Sequence, residues 1–151
     1  MEESVDKLRT PITDGKVQLE GCRVLESLSE FGKQLNSESW LIEESIQYFC
    51  DMGVIPVLIK AMRARGRDSR FQASACNVVR RIGHDGKDLE DSSSHFVDRV
   101  KDMVFQNNGV ENIVKSMLNF PDHEDIQENA CFALKHFVQS GKLGSEMNAF
   151  I

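Results

Sequence analysis

The sequence has no run of eighteen apolar residues, so hydropathy gives no membrane-spanning helix. It also lacks an excess of positive charge. Lys and Arg number 18 against 24 Asp and Glu, for a net charge of -6 and an isoelectric point near 5.2. A basic face is the usual footprint of nucleic-acid or membrane-surface binding, so any such binding must be local. The four cysteines show neither CxxC spacing nor matching histidine pairs, which argues against zinc and thioredoxin-like chemistry; no metal or cofactor is expected. No Ser-His-Asp order, phosphate loop, HExxH or paired-carboxylate motif stands out, so the chain is not expected to be an enzyme. Cys131 and His136 do not form a dyad: five residues along a helix turn them about 500 degrees, or roughly 140 degrees apart, onto different faces. The N-terminus MEESVDKLRT is too acidic and polar for a signal or transit peptide, making an intracellular, cytoplasmic location the default expectation.

The chain does have a length of 151 residues and 40% hydrophobic content, enough for one domain with a substantial core. It also repeats. IQENACFALKHF at 126–137 is matched by FQASACNVVRRI at 71–82, aligned on Gln127 and Gln72, and by VQLEGCRVLESL at 17–28, aligned on Gln18. In each copy an apolar residue (Val17, Phe71, Ile126) precedes Gln, a small residue (Gly21, Ala75, Ala130) follows three later, and cysteine (Cys22, Cys76, Cys131) comes next. Apolar residues return at Leu25, Val79 and Leu134, then at Leu28, Ile82 and Phe137. This is helical spacing, with one face buried. The three aligned cysteines are expected to pack in the core as small hydrophobes.

Asp14 and Asp68 each stand four residues before the repeated Gln, where a short carboxylate can cap a helix; Asp122 is expected to do the same after Pro121, with Glu124 and Asp125 in the first turn. WLIEESIQYFC at 40–50 and HFVDRVKDMVF at 95–105 match in apolar pattern, giving a first helix to each repeat. Trp40 and Phe96 are expected to be core. Gly53 and Gly109 are expected to end those helices as left-handed C-cap glycines. GVIPVLIKAM and GVENIVKSML then supply a middle helix, with Pro56 near its start. A loop over 63–70 carries Arg63, Arg65, Arg67 and Arg70; it is either a solvated loop or a grip for phosphate or an acidic segment. Residues 83–95, GHDGKDLEDSSSH, are expected to be a connector, as are 29–39, and the segment ending in Phe150 and Ile151 occupies the place of another first helix.

GVIPVLIKAM followed by a helix such as IQENACFALKHF resembles the armadillo repeat, whose second helix opens Gly-x-Ile-Pro and whose third resembles VQENAAWALSNL. The resemblance implies an all-α, right-handed superhelical solenoid in one domain over 1–151. It divides into a last helix at 14–36, full repeats at 37–93 and 94–141, and the start of a further helix at 142–151. The period, read from Gln18 to Gln72 to Gln127, is longer than is usual for the class, and the connectors absorb the extra residues. In armadillo proteins the third helices line a concave groove for extended peptides, through a Trp and an Asn four residues apart. Carried over, the Trp position falls on Arg23, Asn77 and Phe132, and the Asn position on Ser27, Arg81 and His136. The chain departs from that ladder at every position. Arg23 and Arg81, with Arg80 and Lys135 nearby, would make the inner face basic and suited to an acidic protein partner, with Phe132 as an apolar anchor. The expected function is therefore an interaction scaffold or assembly subunit, open to oligomerisation at its C-terminal end, with nucleic-acid or anionic-surface binding through 63–70 as the alternative.

Overall fold

The computed structural model describes residues 22, 23, 47, 50–84 and 94–138. Ser27, Asp14, Trp40, the 29–39 connector, the side chain of Phe96 and the segment after 141 lie outside the described residues. Those described are helical, with five helices and no strand among them: α1 (Val54–Ala64), α2 (Ser69–His84), α3 (Ser94–Gln106), α4 (Gly109–Asn119) and α5 (Glu124–Val138). The all-α expectation holds. In particular 54–62, apolar enough to have formed a buried strand, is the helix α1.

α1 buries Val54, Ile55, Leu58, Ile59, Ala61 and Met62, leaving Lys60 and Arg63 in water. α2 buries Phe71, Ala75, Cys76, Val78, Val79 and Ile82. α2 and α5 share the broadest helix contact, and α4 packs on both α1 and α5. The resulting core is continuous, from Cys22 and Cys50 through α1 and α2 to Val104, Ile113 and Phe137.

The repeat spacing recurs in hydrogen bonds. Gln72 Nε2 donates to the carbonyls of Met62 and Arg65 at 2.8 and 2.9 Å. Gln127 Nε2 donates to those of Met117 and Phe120 at 2.9 and 3.0 Å, the same two positions one repeat further on. In both places the amide satisfies carbonyls that the end of the preceding helix leaves open. The side chains then diverge: Gln72 is buried and Gln127 half-buried. Gln72 Oε1 also accepts the Ser116 hydroxyl of α4 at 2.5 Å, a bond between helices far apart in the chain.

Four expectations are corrected. Gly53 is left-handed at φ 65°, but the residue in that conformation before α4 is Asn108, φ 59°. Asn is among the few non-glycine residues that adopt it readily. Gly109 instead opens α4, and its need is space: a Cβ there would lie 2.5 Å from Val104 Cγ1 and 2.9 Å from both Ile59 Cδ1 and the Val104 carbonyl. The cap position of α5 is taken by His123, whose carbonyl accepts from Gln127 N as that of Asp68 accepts from Gln72 N; Asp122 lies one residue outside. Asp68 does cap, its Oδ1 accepting from Phe71 N at 3.1 Å. Cys131 is exposed while Cys22 and Cys76 are fully buried; Ser116 of α4 hydrogen-bonds the Cys76 thiol, so a shared position in the repeat does not give a shared environment. Finally, α2 runs on through Gly83 and His84 and α3 begins at Ser94, so the connector is shorter at both ends than 83–95; Gly83 lies against His136 and Phe137 of α5.

Candidate functional site

Of the residues singled out in the sequence, Asn77, Arg81 and Phe132 lie on one polar surface and Arg63, Arg65, Arg67 and Arg70 at another. The first lies along the contact of α2 with α5. Asn77, Arg80 and Arg81 are three and four residues apart, hence on one side of α2. Arg81 Nε donates to Asn77 Oδ1 at 3.2 Å, holding the guanidinium along its own helix. Arg80 reaches across to α5. One Nη donates to Asn129 Oδ1 at 3.1 Å and lies 3.7 Å from a Glu128 carboxylate oxygen, while the guanidinium carbon sits 5.1 Å from the centre of the Phe132 ring. The ion pair is solvent-exposed and contributes little; the ring contact adds about 0.5–1 kcal/mol at such a site. Phe132 remains 43% exposed, so its other surface is available. Arg23 is exposed.

His136 is placed differently. It is only 6% exposed and its Cβ is 3.9 Å from where a Cβ on Gly83 would lie, so it belongs to the packing between α2 and α5. Arg80, noted in the sequence only as a neighbour, is the residue that joins the two helices on this side. A cross-helix contact of this kind has no local sequence signal beyond the basic pair Arg80-Arg81.

The second surface is the turn between α1 and α2. It is shorter than the sequence suggested, because α1 extends to Ala64 and α2 begins at Ser69. Arg65 is drawn in, its guanidinium 6.0 Å from the centre of the buried Phe71 ring and 3.8 Å from Asp68 Oδ2. Arg63, Arg67 and Arg70 are exposed. An open hollow of about 640 Å³ is lined by Arg63, Arg65, Gly66, Arg67, Asp68 and Asn119.

Two of the thiols offer little chemistry. Burial pushes the Cys76 thiol up to about 12, against a hydrogen bond with Ser116 that lowers it, and burial likewise raises Cys50. Both are held as neutral thiols, poor nucleophiles and poor metal ligands. Among the described residues no group of three or more His, Cys, Asp or Glu is placed to hold a metal ion, and no helix is long and apolar enough to cross a membrane. Comparison of the chain with protein-family models, curated proteins and solved structures gives no match.

Proposed function

We propose that this chain is a non-enzymatic protein-interaction module of armadillo-like design, in which stacked three-helix units hold an acidic segment of a partner along the side formed by their last helices. The observation that carries the reading is the joint surface of α2 and α5. Asn77, Arg80 and Arg81 from one helix and Asn129 and Phe132 from the other present guanidinium, amide and aromatic groups side by side. Guanidiniums pair with carboxylates through charge-assisted, often bidentate hydrogen bonds, and a half-exposed aromatic beside them supplies an apolar anchor. Unit stacking is supported by the Gln-to-carbonyl bonds that recur from one repeat to the next, and by Ser116 of the later unit donating to Gln72 of the earlier one. Exposed Arg23, in the earliest copy of the same helix, extends the basic character.

The test uses a fluorescent Glu- and Asp-rich peptide and the full chain, read by anisotropy across a salt series. Replacing Arg23 and Arg81 by Gln and Phe132 by Ala together is expected to weaken binding at least about tenfold, since each lost charge-assisted contact is of that order. Binding that is unchanged in this variant eliminates the inner-face reading.

A further inference from the structure

The α1–α2 turn and the α4–α5 turn are the same device built with opposite charge. In both, a Gln side chain donates to two carbonyls of the turn from seven and ten residues downstream. In the register that aligns Gln72 with Gln127, Arg65, Arg67 and Arg70 correspond to Phe120, Asp122 and Asp125, and Arg63 to Leu118. The second turn forms with two carboxylates where the first has two guanidiniums, so the turn itself does not require arginine.

The arginines nonetheless stand on a fixed backbone. Arg65 N donates to Ala61 O at 3.0 Å, Asp68 N to Arg65 O at 2.9 Å, and Asn119 Nδ2 from α4 to Gly66 O at 3.0 Å. The nearby carboxylates are already engaged. Asp68 accepts from Phe71 N and faces Arg65, and Glu111, whose carboxyl is held low chiefly by Lys115 and less by Arg63, is 2.6 Å from the Lys115 ammonium. Among the described residues Arg63, Arg67 and Arg70 make no ion pair of their own. Two of these guanidiniums, Arg63 and Arg67, therefore line a hollow whose backbone is tied by these hydrogen bonds, with Arg70 exposed just beyond it on α2, so an anion entering it orders only side chains.

We propose that this turn docks a phosphorylated serine or threonine on a segment of a partner protein. A phosphomonoester brings close to two negative charges and three acceptor oxygens, which matches a compact arginine cluster in charge and in fork geometry. An extended polyanion fits less well. The chain's net charge of -6 repels it away from this one turn, and the aromatic here, Phe71, is fully buried, leaving no ring on which bases could stack. The site is separate from the α2–α5 surface and does not depend on it.

The experiment passes the full chain over a degenerate phosphoserine peptide library, the same library unphosphorylated, and a twenty-nucleotide oligouridine. Retention on the phosphorylated library is expected to exceed the unphosphorylated one by about tenfold or more. The variant R63Q/R67Q/R70Q, with its helicity verified by circular dichroism, is expected to lose that preference. R23Q/R81Q/F132A keeps it, separating this site from the inner face. Equal retention of the two libraries, a preference that survives in the triple glutamine variant, or stronger capture by oligouridine than by phosphopeptide would each overturn the proposal.

Discussion

Gln72 and Gln127 allow one contact to be weighed in two settings. Each Nε2 bridges the carbonyls of a turn, but Gln72 is 1% exposed and also accepts from Ser116, whereas Gln127 is half-buried. Replacement by Met keeps length and removes the amide. At 72 the Met62 carbonyl loses its side-chain donor in a buried setting, and that of Arg65 keeps only the Asp68 amide. With roughly 1–3 kcal/mol for each buried polar group left unsatisfied, the cost at 72 is about 3 kcal/mol. At 127 water reaches the freed carbonyls and the cost is nearer about 1 kcal/mol, the net worth of an ordinary hydrogen bond. Urea denaturation of Gln72→Met and Gln127→Met should thus separate by about 2 kcal/mol, and thermal midpoints by roughly 4–8 °C for a chain of this length. Ser116→Ala combined with Gln72→Met should show a coupling of about 1 kcal/mol. Equal losses at 72 and 127 would refute the claim that burial, and not the bond itself, sets the difference.

Gly109→Ala is expected to cost about 2 kcal/mol through overpacking against Val104 and Ile59, partly offset by the better helix former, whereas Gly66→Ala, with nearest atoms at 3.8 Å, should stay within about 0.5 kcal/mol; chemical denaturation of both tests the pair. Cys76 is an acid raised in the folded state, so the stability owed to its neutral form is complete below the unfolded thiol value near 8.5–9 and declines as pH rises toward about 12. Above pH 9 the wild type should therefore lose up to about 1.4 kcal/mol per pH unit more than Cys76→Ala, and parallel pH profiles would contradict this. In the folded protein at pH 7.5 a maleimide should label exposed Cys131 first, with Cys76 protected, as peptide mass spectrometry can read.

Much of this arrangement was legible in the sequence because helix faces repeat. The Gln72 and Gln127 correspondence, the buried side of α1 and the Asp68 cap all follow from local spacing. What was not legible depends on neighbours distant in the chain. GVIPV and GVENI look alike, but the left-handed residue before α4 is Asn108, and Gly109 answers to the crowding of Val104 and Ile59, the latter on a helix of the preceding repeat. Cys76 and Cys131 share a pattern but not a fate, since burial is set by what lies on top of a residue. At the candidate site, alignment put His136 beside Phe132 as a partner contact, while the close approach of Gly83 packs it inward; the Arg80 bridge to Asn129 joins residues 49 apart in the chain.

The Gln72 carboxamide secures its own turn with one end and receives α4 with the other. Loosening either attachment weakens the remaining one, because a side chain released from the turn is no longer aimed at Ser116, and a departing α4 leaves the carboxamide no longer held at its far end. The consequence is cooperativity: heat should dismantle the α1–α2 and α4–α5 pairs in a single calorimetric transition, with no intermediate in which one pair persists alone.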